Sequence, residues 1–178
     1  MRWSDMERAQ PRLARLGRQR LIEPGVLLVA TIRSDGSPRI GAVEPLLLDG
    51  SLWLGMMWQS GKARDLLRDP RVLVHSVITG REGSDGEFKI RGTVRADDDP
   101  VTFQRYADTV AGQLGWRPEH WRMHLFEVDI SDVTFIVYSE SGDQHVAMWP
   151  PSREYVRPNA TATSLGDPEP AADILVSA

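Results

Sequence analysis

The sequence predicts a mainly β domain, an antiparallel barrel of six or seven strands with short peripheral helices. Three observations predict it. Between Leu27 and Met57, Asp35-Gly36 and Asp49-Gly50 join three apolar runs, and Asp-Gly tolerates the positive φ that tight hairpins need. Leu125 to Ile130 and Val133 to Tyr138 alternate apolar with polar residues, as half-buried strands do. Helical spacing is confined to short stretches, which disfavours a parallel sheet with a helix between strands.

The elements follow in order. Residues 1 to 22 read as helical, with Leu13, Leu16 and Leu21 in one stripe beside Arg12, Arg15 and Arg18. Pro11 marks a break or a helix start. The arginines read as a solvated face, with an anionic partner as the alternative. Val26 to Arg33, Ile40 to Leu48 and Ser51 to Met57 are the first three strands. Ser60 caps a helix of two or three turns, and Asp69-Pro70 ends it because the residue before proline avoids the α region. Arg71 to Ile78 and Phe88 to Ala96 are strands around a Gly- and Ser-rich loop. Asp97-Asp98-Asp99-Pro100 starts a helix that carries Phe103, Tyr106, Ala107, Val110 and Leu114 at helical spacing. The chain therefore divides into a helical segment (1–23), a barrel (24–140), an irregular extension (141–158) and a flexible tail (159–178).

Composition narrows the function. The 178 residues are 41% hydrophobic and 26% charged, ordinary for a globular domain with a real core. A net charge of −4 argues against a general nucleic-acid binder. With no cysteine, disulfides, thiol catalysis and Cys-ligated metals are excluded. No run approaches the ~18 apolar residues of a membrane span, and the start lacks an apolar signal region. A cytoplasmic protein without membrane or nucleic-acid partners is expected.

The phrase Trp58-Gln59-Ser60-Gly61-Lys62-Ala63-Arg64 carries the main candidate site. A serine, free helix-start N–H groups and a lysine converge where a strand hands over to a helix, which suits a phosphate. Lys62 is one of only two lysines beside 19 arginines, which hints at a need for a compact charge there. Arg64 lies two residues on and reaches the same anion only if Lys62 sits at an irregular helix start. The local pattern fits a capped surface helix with two solvated charges as well. Met56, Met57 and Trp58 form a soft patch that suits a planar ring or ordinary core. Alternation sends Met56 and Met57 to opposite faces.

Rival motifs fail. Gly55 and Gly61-Lys62 miss a P-loop by one residue of spacing, and Ala63 stands where a Mg²⁺-binding hydroxyl belongs. The glycines at 80, 83 and 86 do not form a dinucleotide fingerprint. His120 and His124 lack the glutamate of a zinc-binding pair, with Trp121 in its place, so no metal site is assigned. No Ser/His/Asp set can be assembled, and no protein acid or base is nominated.

Three matching runs carry a family resemblance: Leu-Val-Ala-Thr-Ile-Arg-Ser-Asp-Gly-Ser-Pro-Arg (28–39), Leu-Trp-Leu (52–54) and Ser-Gly-Lys-Ala-Arg-Asp-Leu-Leu-Arg-Asp-Pro-Arg-Val (60–72). Together they resemble the pyridoxamine 5′-phosphate oxidase-like, FMN-binding split β-barrel superfamily, over about residues 24–140. The resemblance implies a homodimer that binds FMN, or coenzyme F420, at its interface. It implies a cofactor site made of Ala42, Val43, Glu44, Gly55, Met56, Met57, Trp58, Ser60, Gly61, Lys62 and Arg64. It implies a flavin-dependent oxidoreductase passing hydride to or from a small organic substrate. A coenzyme F420-dependent reductase and a non-enzymatic flavin- or haem-binding module are the alternatives. Gly41 and Leu46 stand where pyridoxamine phosphate oxidases carry an arginine and a lysine for the phosphate. Arg153 and Arg157 form no clear substrate motif. Authentic vitamin B6 oxidation is therefore not expected.

Overall fold

The computed structural model describes residues 1–81, 83–161 and 163–171. β1 (Leu27–Ile32) and β2 (Pro38–Val43) pair through the turn at Asp35-Gly36, where Gly36 has φ +84°. The chain then changes partners. After Glu44, β3 (Pro45–Leu48) pairs with β4 (Ser51–Met57) instead of β1. The single strand expected over 40–48 is therefore two. Pro45 has no N–H for a ladder and tolerates the corner.

That corner closes the barrel. β5 (Arg71–His75), β6 (Glu87–Asp97) and β7 (Met123–Tyr138) complete the circuit β3-β4-β7-β6-β5-β1-β2, with every neighbour antiparallel. Mainly β, antiparallel and with short helices outside, the architecture is the one expected. Two separate strands were expected at 125–130 and 133–138, and one long strand is found. Ile130 faces Gly92 while Asp132 faces Arg91, so Ser131 is an extra residue. Such a bulge shifts the inward residues from Phe126, Val128 and Ile130 to Val133 and Phe135, which reads in sequence as a break.

The bulge splits the work of β7. Leu125 to Glu127 lie between β4 and β6, whereas Val133 to Ile136 lie between β6 and β8 (Gln144–Trp149). β9 (Arg153–Arg157) adds to β8. The extension expected to be irregular over 141–158 thus carries two sheet strands. Val146 and Ala147 are buried there, but Pro150-Pro151 and the charged flanks hide the alternation. In the stretch expected to be a tail, β10 (Asn159–Thr161) and β11 (Ser164–Leu165) form a ribbon, and β12 (Glu169–Pro170) pairs with β9. All three are exposed, so backbone pairing makes them and no hydrophobic pattern announces them. Residues 172–178 of that expected tail lie outside the described residues.

Two apolar clusters hold the structure. α1 (Trp3–Ala9) and α2 (Pro11–Gly17), with the π-helical turn Arg18–Ile22, send Trp3, Met6, Leu13, Leu16 and Leu21 into the barrel core. The stripe expected from the sequence is buried, and Pro11 opens α2. Arg12, Arg15 and Arg18 lie on the exposed side, and Arg18 pairs with Glu7. α3 (Gly61–Arg68) covers the barrel with Ala63 and Leu66. α4 (Pro100–Leu114), capped by Asp99 and ended by Gly115 at φ +75°, packs Phe103, Tyr106, Ala107 and Val110 on Leu46, Trp53 and Leu125. No helix among the described residues is long and apolar enough to cross a membrane.

At the bulge a Cβ on Gly92 would run into the Asp129 carbonyl oxygen, which is backbone and cannot step aside. Gly92→Ala is expected to cost about 2–3 kcal/mol, by the usual penalty for overpacking, read as a lower midpoint in urea denaturation.

Candidate functional site

β4 hands over to α3 through Gln59, a non-glycine residue at φ +56°, which no turn signal in the sequence announced. The Ser60 hydroxyl then accepts from Ala63 N–H at 3.3 Å, the expected cap, and its own proton stays available to a ligand. Lys62 is half-buried and lies along β2. Its ammonium donates to the Ala42 carbonyl at 2.6 Å. Gly41 makes room for it, since a Cβ there would stand 3.0 Å from Nζ.

Arg39 completes the cluster. Residues 39, 41 and 43 share one face of β2, and the Arg39 guanidinium lies against Gly61, 3.0 Å from where a Cβ would sit. The position matching the family's arginine, Gly41, thus has no side chain, yet β2 still delivers a guanidinium to the helix start from two residues earlier. Leu46, at the other matching position, is buried beneath α4. Two cations so close have an electrostatic cost. Burial, and then the charge of Arg39, hold the Lys62 ammonium below its usual 10.5.

Asp65 fixes Arg39 in place. Its carboxylate is 4% exposed and accepts from Arg39 Nε at 2.6 Å and the Thr31 hydroxyl at 2.9 Å, with Arg68 at 3.6 Å. Burial pushes its pKa up, but the two hydrogen bonds and the two arginine charges together outweigh burial and hold it below the usual 3.8. A carboxyl held low stabilises the fold above its unfolded pKa, and that contribution is lost as pH falls through the folded value. Asp65→Ala is expected to cost about 3 kcal/mol at neutral pH, because it strands Arg39 and the Thr31 hydroxyl. The gap to the parent should narrow only below about pH 3.8, in paired urea denaturations across the acid range.

Beside the cluster runs a groove of about 710 Å³. Ala42, Val43 and Glu44 of β2 line one edge, and Gly55, Met56 and Met57 of β4 line another, with Ser60 and Lys62 at the helix start. Met56 is buried and Met57 exposed, the opposite facing that alternation gives. Gly61 sits at the helix start beneath Arg39, whereas Arg64 is exposed and Trp58 stacks on His124 with ring centroids 4.3 Å apart; none of the three lines the groove. The two charges of the helix start therefore part company, as their spacing requires.

Sequence reasoning missed the far wall. Tyr106 reaches from α4 to Gly55, where any Cβ would run into its hydroxyl. Burial, then the Glu44 carboxylate, push its pKa up to about 12, so it stays a donor at physiological pH. Trp116, Arg117, Pro118, Glu119 and Arg122 follow from the loop after α4. Tyr106 sat in a helical stripe that predicted core alone. The loop gave only its Gly and Pro punctuation. His120 and His124 do not share a helix face, because His120 is in a short 3₁₀ turn and His124 is on β7.

No protein-family model matches the sequence, and no curated protein matches it. Solved structures do. A protein from Clostridium acetobutylicum related to general stress protein 26, of the pyridoxinephosphate oxidase family, superposes with a TM-score of 0.57 at 12% identity, over 82% of this chain and 94% of that one. A NimC/NimA family protein from the same organism gives 0.54 at 15% identity, over 74% and 91%. A haem-binding protein from Mycobacterium smegmatis gives 0.52 at 20% identity, over 67% of this chain and 52% of that chain. At such identities the likeness speaks for the fold alone. The chain has the split β-barrel fold of the pyridoxamine 5′-phosphate oxidase-like proteins.

Proposed function

We propose that the protein is a flavin-dependent oxidoreductase that binds FMN in the groove between β2, β4 and the start of α3. One observation carries this reading. The Ser60 hydroxyl, the Lys62 ammonium and the Arg39 guanidinium converge at a helix start beside a groove edged by strand backbone. A helix N-terminus with a hydroxyl and two cations suits a phosphate. The residues fit such a ligand, because Gly41 and Gly61 leave open the space that Lys62 and Arg39 occupy. The groove's volume lies within the range of cofactor pockets.

In this site FMN would supply hydride transfer to or from a small organic substrate. Lys62, Arg39 and Ser60 would hold the phosphate. Met57 and Met123 offer a polarizable surface to a planar ring. Tyr106 keeps its proton and would donate to an acceptor bound beside Gly55. Trp116 and Pro118 narrow the access of water from the α4 side. The fold alone serves oxidases and binding proteins alike, so the cation cluster at the helix start, not the fold, favours a phosphate-bearing flavin.

The same reading includes a homodimer. Ile40, Ala30 and Leu73 stand in register across β2, β1 and β5, with Leu28 and Ala42 beside them, on the outer side of the barrel. Ile40 is 65% exposed and Leu73 38%. A contiguous apolar sheet face of this kind marks an association surface. Ala42 belongs both to it and to the groove, so a second copy seated there would border the cofactor.

An absorbance titration of the purified protein with FMN, and separately with coenzyme F420, tests the reading. A perturbed flavin spectrum supports it; binding of coenzyme F420 alone moves the protein to the deazaflavin reductases, and binding of neither overturns it. Lys62→Ala is expected to weaken FMN binding by about tenfold or more, the worth of a charge-assisted hydrogen bond. The parent's affinity should decline as pH rises through the depressed Lys62 pKa, since only the ammonium attracts phosphate, and the variant should lose that dependence. Ile40→Asp is expected to give a monomer in sedimentation velocity and to lower FMN affinity with it.

A further inference from the structure

Tyr106 is 4% exposed, yet its hydroxyl makes no hydrogen bond among the described residues. It is not one of the sealed-in atoms that lack a partner, so its oxygen keeps surface open to the groove that Tyr106 lines. Polar groups on buried residues nearly always find a partner, so the exception needs a cause. Packing fixes the ring. It lies among Phe103, Leu46, Trp53 and Leu125, and it brings its hydroxyl over Gly55, where any Cβ would run into it. The Met123 methyl stands beside the hydroxyl, 2.7 Å from the same point.

The lining sets the chemistry of a partner. Burial, then the charge of Glu44, push the Tyr106 pKa up to about 12, so the hydroxyl offers a proton and needs an acceptor. An ammonium brings only donors and leaves that proton unmatched. An anion is opposed. Glu44 is exposed at the groove without an ion pair among the described residues, and Glu119 belongs to the same lining. The positive groups of the far wall are already engaged. Arg117 is paired with Asp108 at 2.6 Å, and Arg122 stacks on Trp121 with Glu119 at 3.9 Å. What remains is an uncharged acceptor such as a carbonyl oxygen. Met57, Met123, Trp116 and Pro118 supply apolar, polarizable walls that suit a flat body.

We propose that the α4 side of the groove binds an uncharged, flat carbonyl compound, its oxygen accepting from the Tyr106 hydroxyl and its body lying against Met123 and Trp116. This deepens the flavin reading by naming the class of the small organic substrate. It rests on that reading for the role of substrate, and not for the binding itself.

Calorimetric titration of the full chain with 1-indanone tests it, with indane as the match that lacks the oxygen. The ketone is expected to bind saturably. Tyr106→Phe should weaken it about fivefold, the worth of one neutral hydrogen bond, and leave indane unchanged. Indane-1-carboxylate should not respond to the variant. Without ligand, Tyr106→Phe should melt no lower than the parent, because the hydroxyl it removes has no partner in the fold. No ketone binding at millimolar concentration, unchanged ketone binding in Tyr106→Phe, or an equal loss for ketone and indane overturns the proposal. So does a carboxylate that weakens with the ketone, or a clearly lower melting temperature for the variant. An FMN titration runs beside these, and competition between FMN and the ketone overturns the role of substrate. FMN binding without a Tyr106-dependent ketone sinks the subsite alone. A Tyr106-dependent ketone without FMN binding sinks the flavin reading alone.

Discussion

A single buried carboxylate organises the proposed site. Asp65 is charged, almost wholly out of water, and bonded to two strands at once, through Thr31 of β1 and Arg39 of β2. A buried charge persists only when it is paired and hydrogen-bonded, so the position of α3 on the barrel is tied to this contact. Everything at the helix start follows. Arg39 is held against Gly61, and Lys62 passes over Gly41 and donates to the Ala42 carbonyl. Ion pairs of this sort are poor sources of net stability when compared with apolar contacts. Their value here is geometric, since they place two positive groups at a helix start that repulsion alone would drive apart.

Glycine placement is the second half of that arrangement. Gly41, Gly55 and Gly61 have ordinary backbone angles, so none is there for a turn. Each instead leaves the volume of a side chain for another residue: Lys62, the Tyr106 hydroxyl and Arg39 in turn. Glycine within a strand or at a helix start forfeits packing and costs chain entropy. Three such positions around one groove let polar groups arrive from α3 and α4, and from two residues further back on β2, instead of from the glycine positions themselves. This is why a position-by-position comparison with the family, which finds Gly41 and Leu46 in place of basic residues, understates the positive charge assembled in space.

The same distinction explains what could be read from the chain beforehand. Hairpins at Asp35-Gly36 and Asp49-Gly50, the Ser60 cap and the Asp99-Pro100 start are local signals, and each stands where the residues put it. β7 misled because a bulge at Ser131 shifts the alternation by one and imitates a strand end. β2 and β3 misled in the opposite sense, because apolar runs stand on both sides of a corner that only Glu44-Pro45 marks. β8 and β9 were illegible because their neighbours supply the pattern: Val146 and Ala147 are buried by β7 and β9, and nothing within six polar-flanked residues says so. Within the site, Ser60 and Lys62 were legible as sequence neighbours. Arg39, Tyr106 and the 116–122 loop were not, because their proximity to Gly61 and Gly55 is created by pairing and packing across the fold.

β7 also shows how one strand serves two places. Its Met123 end pairs with β4 and borders the groove, while its Val137 end pairs with β8. Between them lies the bulge, where Gly92 lets the Asp129 carbonyl approach β6 closely. A straight strand of sixteen residues would keep one set of side chains facing inward along its whole length. The extra residue resets that alternation, so Phe126 and Phe135 both reach the core although they lie an odd number of positions apart. It also lets the sheet split, with β4 on one half and β8 on the other. The pairing of β7 with β4 therefore lies on one side of that added residue and its pairing with β8 on the other.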